Sequence, residues 1–201
     1  MNLPNKLTVA RCMLAALFVL LMSFEHAAAY FAAFAVFIAA TITDYYDGKI
    51  ARARNLITNF GQLLDPVADK ILMAAGFIML MKVPALRVPG WAVVAVFGRE
   101  FFITGARALA AAQGAVLPAN KYGKRKAVLQ MAYVLTFLFL AACLQLLRHL
   151  TWPPAGWTRY MQAGVGVASY VCMVAVAIYT VYSGVQFVRI HWKTLGLHEQ
   201  L

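Results

Sequence analysis

Six apolar runs set the strongest limit on how this chain can fold. Each run is close to the roughly 20 residues that a helix needs to cross the hydrocarbon core of a bilayer. Backbone amides in lipid must bond within their own segment, and no alternating pattern of the kind found in barrel strands occurs here. The sequence therefore predicts an all-α integral membrane protein. The runs cover residues 7–24, 27–48, 61–81, 91–112, 127–147 and 164–188.

One bundle of six transmembrane helices, with room for a short interfacial N-terminal segment, would use the whole chain. Hydrophobic residues make up 63% of the sequence, whereas roughly half is usual in soluble domains. No repeat or low-complexity linker separates a second folding unit, so we expect a single domain over residues 1–201. The first run resembles a signal peptide, but the next run follows almost at once, which favours a retained helix.

The distribution of positive charge predicts an orientation in the membrane. The formal net charge is +11, and twelve of the 18 Lys and Arg residues fall on the side that holds both termini, against four on the other side. By the positive-inside rule, the termini should face the cytoplasm. These cations lie between apolar runs and suit contact with anionic membrane lipids, so a nucleic-acid partner is disfavoured.

Four of the seven acidic residues are concentrated between positions 43 and 70. Asp44 and Asp47 end the second apolar run, and Asp65 and Asp69 begin the third. Residues three or four apart share one face of a helix, and a short connection makes consecutive helices antiparallel neighbours. The four carboxylates are therefore expected to face each other near the cytoplasmic membrane surface.

Clustered carboxylates in a low dielectric repel one another unless cations neutralise them. An all-oxygen site suits Mg²⁺ or Mn²⁺, and two such ions would balance four carboxylates. On the same faces, Gly48 and Ala51 leave space for a ligand, and Arg52 could bind a phosphate bidentately. The alternative is that the small residues pack helices while the carboxylates form salt bridges or a proton relay.

The segment "DYYDGKIARARNLITNFGQLLDPVAD" resembles the signature of the CDP-alcohol phosphotransferase family, D-x2-D-G-x2-A-R-x8-G-x3-D-x3-D, at every fixed position. The resemblance implies six transmembrane helices, a homodimer and an active site at the cytoplasmic face. It also implies that a CDP-linked donor, here CDP-diacylglycerol, gives its phosphatidyl group to an alcohol and releases CMP. For a bacterial protein the location would be the cytoplasmic membrane.

The same resemblance assigns roles to individual residues. Metal ligands would be Asp44, Asp47, Asp65 and Asp69, and Asp69 would also act as the general base. Contacts with CDP-diacylglycerol would come from Asn5, Thr8, Gly48, Ala51, Arg52 and Thr58. For Asn5, a helix N-cap is the alternative interpretation.

The second half of the chain resembles the branch of the family whose acceptor is glycerol 3-phosphate. The matching residues are Arg99 with Glu100, then Arg107, then Gly123 and Lys124 with Lys126. This resemblance implies that Arg99, Arg107 and Lys124 bind the acceptor phosphate, for which Arg is well suited. Because Arg99 lies inside an apolar run, a structural pair with Glu100 or an Asp is the alternative.

Other classes of protein remain open at this point. A sibling enzyme could use inositol phosphate, serine or another alcohol. An ion-coupled transporter could use the carboxylates as its ion path, although transporter sites usually lie near the bilayer midplane. A structural membrane subunit is the third class. Gly164 and Ala168 form a small-x-x-x-small pair that could seat a neighbouring helix.

Overall fold

The computed structural model describes residues 3–54, 59–115, 117–118, 121–150 and 154–192. In the helical stretches 3–7, 44–54 and 59–66, and at His149 and Ala155, only the backbone is described. Over these ranges the chain forms six α-helices and one 3₁₀ helix without any strand, which confirms the predicted helical class. The helices are α1 Leu3–Met22, α2 Ala27–Arg54, α3 Asn59–Met81, α4 Gly90–Ala112, α5 Lys121–His149 and α6 Ala155–His191, with the 3₁₀ helix at Pro84–Leu86.

Two of these helices are long and apolar enough, within the described ranges, to cross a membrane. They are α5 over residues 121–148 and α6 over residues 156–191. Apolar stretches in α1, over 8–22, and in α2, over 27–43, are shorter. The expectation of six spans therefore stays a prediction.

Three helix ends differ from, or refine, the sequence expectation. α2 continues beyond its apolar run to Arg54, so Asp44 and Asp47 lie within a continuous helix. α3 begins at Asn59, so Pro66 lies inside it. Since proline has no amide hydrogen, one helical hydrogen bond is missing there. α1 begins at Leu3, which places Asn5 in the first turn and not at the N-cap.

The chain divides into two compact units. The first comprises Met1–Arg87 and Val134–Val167. In it, α1 packs against both α2 and α3, and the buried rings of Phe18 and Phe37 meet edge to face with their centroids 5.2 Å apart. The Gln145 side chain donates a hydrogen bond of 2.8 Å to the carbonyl oxygen of Glu25, which anchors the turn between α1 and α2.

The second unit comprises Val88–Tyr133 and Ala168–Leu201. Its apolar core includes Ile103, Ala110, Leu117 and Phe187. Buried polar pairs join α5 to α6 in this unit. Gln130 Nε2 donates to Thr180 Oγ1 at 3.1 Å, and the hydroxyls of Tyr133 and Ser169 lie 2.9 Å apart. Such bonds fix how helices pack where hydrophobic contrast with lipid is small.

One glycine of α6 is required by close backbone packing in the first unit. A Cβ atom at Gly166 would lie 2.6 Å from the Ala85 carbonyl oxygen and 3.2 Å from Arg87 Cδ. A Cβ atom at Gly164, two residues earlier, would meet nothing within 4 Å. Gly166 thus seats a neighbouring segment within the chain, and the packing of a further helix against Gly164 and Ala168 stays a prediction.

We expect Gly166→Ala to destabilise the protein, because the carbonyl oxygen of Ala85 belongs to backbone and cannot move aside easily. Overpacking of this kind costs roughly 1–3 kcal/mol. The midpoint of thermal unfolding in detergent measures the effect. Gly164→Ala is the matched control on the same helix and should leave the midpoint unchanged or slightly higher, because alanine favours helix. Equal midpoints for the two variants would contradict this packing.

Candidate functional site

The Asp-rich motif lies on the backbones of α2 and α3, which contact each other in the first unit. Asp44 and Asp47 are about one turn apart on α2, and Asp65 and Asp69 are about one turn apart on α3. Residues 55–58, which include Thr58, lie outside the described residues. The helix pair that was predicted to carry the motif is therefore present.

The side chains of most motif residues lie outside the described part of the chain. This applies to Asn5, Asp44, Asp47, Ala51, Arg52 and Asp65, and Gly48 belongs to the same stretch. The Asp69 side chain is described and is exposed. Among the described side chains, no group of three or more His, Cys, Asp or Glu residues forms a potential metal site. The metal ligands remain a sequence prediction.

α1 contributes two buried polar residues to the first unit. Thr8, which was assigned to the donor by resemblance, is 1% exposed, and Arg11, one turn later, is also 1% exposed. Sequence reasoning treated Arg11 only as one of the cations that set topology. Its burial was missed because a cation near the end of an apolar run is usually free to reach the membrane surface.

The second unit contains a pocket of about 280 Å³ to which α4, the start of α5 and α6 contribute. Arg99, Arg107 and Lys124, the three residues assigned to the acceptor phosphate, all line it. Arg99, Ile103 and Arg107 are spaced four apart on α4 and so share one face. The pocket is completed by Glu100, Thr104, Gly123, Lys126, Ala127 and Phe187.

Glu100 is the central acceptor in this pocket. Its Oε1 atom accepts a hydrogen bond from Arg99 NH1 at 3.4 Å and also pairs with Lys126 Nζ. The three side chains are only 9–16% exposed. The alternative interpretation of Arg99 as a partner of Glu100 is therefore confirmed, and it leaves a phosphate-binding role open. A second bond runs from Arg99 NH2 to Ser183 Oγ at 3.0 Å.

Arg107 and Lys124 occupy the exposed part of the pocket lining. The Arg107 guanidinium carbon lies 5.2 Å from the centroid of the Phe187 ring, within reach of a cation–π interaction. The described lining residues supply four cations and one carboxylate, so its formal charge is +3. Such a pocket favours a multiply charged anion.

Sequence reasoning missed two residues of α6: Phe187, which lines this pocket, and Ser183, which bonds to Arg99. Ser183 and Phe187 come from α6, more than 75 residues after Arg107 in the chain. Each falls in a long apolar run whose spacing gives no indication of which face meets α4. The Arg-Glu and Gly-Lys-x-Lys patterns did locate the contributions of α4 and α5.

The described parts of the chain are apolar and helical, with an Asp-rich motif on one helix pair and cations around one pocket. These features fit the class of membrane enzymes that act on phosphate esters. A sequence model of the CDP-alcohol phosphatidyltransferase family matches residues 1–181. Since this match covers most of the chain, the protein belongs to that family. Membership and the apolar helices together indicate a bacterial membrane protein.

Individual relatives carry more specific names. The CDP-diacylglycerol–glycerol-3-phosphate 3-phosphatidyltransferase of Bacillus subtilis is 40% identical over 149 residues, or 68% of this chain and 76% of the relative. The protein of the same name from Rickettsia typhi is 38% identical over 142 residues, or 70% of this chain and 78% of the relative. A probable phosphatidylglycerophosphate synthase of Mycobacterium tuberculosis is 32% identical over 198 residues, or 97% of this chain and 84% of the relative.

We expect Glu100→Gln to lower stability in a way that anions partly restore. Removing the carboxylate charge takes away the charge-assisted bond to Arg99 and leaves the pocket cations to repel one another. The loss should be roughly 2 kcal/mol, typical of a hydrogen bond to a charged group. Thermal unfolding in detergent, with and without added phosphate, measures both effects.

The matched control for this prediction is Glu25→Gln, which removes an exposed carboxylate in the turn between α1 and α2. It should change neither the unfolding midpoint nor its response to phosphate. A Glu100→Gln variant that unfolds like the wild type at every phosphate concentration would show that Glu100 does not stabilise the pocket cations.

Proposed function

We propose that this protein is a phosphatidylglycerophosphate synthase, which transfers the phosphatidyl group of CDP-diacylglycerol to glycerol 3-phosphate and releases CMP. The observation that carries the proposal is the pocket lined by Arg99, Arg107 and Lys124, in a chain of this family. Its excess of positive charge suits a small dianionic acceptor. The names of the relatives from Bacillus, Rickettsia and Mycobacterium support the same acceptor.

The metal requirement is part of the proposal. Asp44, Asp47, Asp65 and Asp69 would hold two Mg²⁺ or Mn²⁺ ions, and a donor set made only of carboxylate oxygens fits these hard cations. Bound divalent ions neutralise charge on phosphate oxygens and on the departing CMP. Support for this assignment comes from the motif spacing on α2 and α3.

The chain's own residues would bind and orient the donor. Arg52 offers a bidentate contact to the diphosphate, and Gly48 and Ala51 on the same helical face keep space open for it. Thr58 would contact the cytidine diphosphate part. At the N-terminus, Asn5 and Thr8 would contact the same ligand from α1.

Asp69 would act as the general base for the acceptor. It takes the proton from a hydroxyl of glycerol 3-phosphate as that oxygen forms a bond to the phosphorus that bears the diacylglycerol. The diphosphate bond breaks at the same phosphorus, and CMP leaves with the bonding electron pair. Arg107 and Lys124, together with Arg99, would hold the acceptor phosphate during this step.

The proposal also covers the arrangement in the membrane. Six transmembrane helices would form one CDP-alcohol phosphotransferase domain over residues 1–201, present as a homodimer in the bacterial cytoplasmic membrane. Both termini and the active site would face the cytoplasm. The distribution of Lys and Arg supports this orientation.

The decisive experiment follows CMP release by the purified protein with CDP-diacylglycerol and Mg²⁺. We expect release with glycerol 3-phosphate and little with inositol phosphate or serine. Chelation of divalent ions should abolish release, and Mg²⁺ or Mn²⁺ should restore it. Release only with another alcohol would replace the proposed acceptor, and no release with any alcohol would favour the transporter or structural alternatives.

We expect Asp69→Asn to remove catalysis while sparing much of the donor binding. A general base contributes about 10²–10⁴-fold to the rate, so kcat should fall by at least that factor, and more if Asp69 also binds a metal ion. Binding of a CDP ligand, followed by the shift in the unfolding midpoint, should persist. A variant with near-normal kcat would remove Asp69 from the role of base.

A further inference from the structure

The stem of Arg99 lies directly against α6 in the second unit. A Cβ atom built at Gly184 would be 2.9 Å from Arg99 Cγ and 3.5 Å from its Nε. The distance to Cγ is shorter than real Cβ contacts, whereas the distance to Nε is an ordinary van der Waals contact, so a residue with a Cβ atom fits here only if the stem of Arg99 shifts. Gly105 on α4 has no such constraint, since a Cβ atom there would meet nothing within 4 Å.

The residue next to this glycine fixes the other end of the Arg99 side chain. Ser183 is fully buried, and its Oγ accepts a hydrogen bond of 3.0 Å from Arg99 NH2. Glu100 accepts from NH1 at 3.4 Å. The guanidinium group is thus held from α6 and from α4, and its side chain is only 9% exposed.

Restricting Arg99 in this way has a consequence for binding. A free arginine side chain loses much rotamer entropy when it binds an anion, whereas one that is already ordered loses little. Arg99 also lines the cationic pocket. Its orientation toward an anion in that pocket therefore depends on two α6 residues that do not carry charge.

We infer that Ser183 and Gly184 are positioning residues that hold Arg99 for the acceptor phosphate and so set the affinity for glycerol 3-phosphate. This inference rests on the proposed function. Gly184 acts by leaving space for the stem of Arg99, and Ser183 acts by accepting its NH2 hydrogen bond. Neither residue belongs to the family signature or to the Arg-Glu and Gly-Lys-x-Lys patterns.

The test compares Gly184→Ala and Ser183→Ala with the wild type in the CMP-release assay. The first variant pushes the Arg99 stem away without removing a polar group, and the second removes the acceptor without adding volume. Each should raise the KM for glycerol 3-phosphate by roughly tenfold, the effect expected for one charge-assisted hydrogen bond. The KM for CDP-diacylglycerol should stay at the wild-type value.

The matched control is Gly105→Ala, which makes the same change on α4 where a Cβ atom has room. It should leave both KM values unchanged. Arg107→Ala serves as the reference for direct loss of a phosphate contact and should raise the KM for glycerol 3-phosphate selectively. Stabilisation of each variant by glycerol 3-phosphate in thermal unfolding gives a second readout that does not require turnover.

The outcomes separate this inference from the proposed function. A wild-type KM for glycerol 3-phosphate in both α6 variants would overturn the inference alone. Equal increases in the KM for both substrates, or loss of the monodisperse folded protein in both variants, would also overturn it by indicating a general structural role. Wild-type protein that releases no CMP with glycerol 3-phosphate would instead refute the proposed function.

Discussion

The charge balance of the second unit depends on one carboxylate, Glu100. It lies on an apolar helix and accepts from Arg99 and Lys126, both of which are largely buried. Burying a cation without a partner costs on the order of several kcal/mol. Glu100 therefore allows Arg99 of α4 and Lys126 of α5 to be buried, which would otherwise cost too much free energy. It leaves a net positive charge on the pocket lining, because one carboxylate cannot balance four cations.

Much of the fold and part of the candidate site could be predicted from sequence. Apolar runs of suitable length predicted helices, and the structure has helices over the described parts of all six runs. Spacing by three and four placed Asp44 with Asp47, and Asp65 with Asp69, on single helices. The separate Arg and Lys patterns identified Arg99, Arg107 and Lys124, which the structure brings to one pocket.

The remaining features depend on how distant helices pack, which local periodicity does not encode. Ser183 bonds to Arg99 across 84 positions of the chain, and the close packing at Gly166 depends on Ala85 in the 3₁₀ helix at Pro84–Leu86. The burial of Arg11 likewise requires knowing which face of α1 meets its neighbours. In an apolar helix every face looks suitable for burial, so sequence alone does not choose between them.

The hydroxyl residues of α6 limit which insertions and substitutions this helix can tolerate. Ser169, Thr180 and Ser183 are all fully buried, and their spacing of 11 and three residues places them on one side of the helix. Apolar contacts are tolerant of rotation, whereas these hydrogen bonds are directional. Inserting one residue between Thr180 and Ser183 would rotate the segment that follows by about 100°. Ser183 would then no longer face Arg99. Tolerance to insertion should therefore be low along this face, even where single apolar substitutions on the opposite face are accepted.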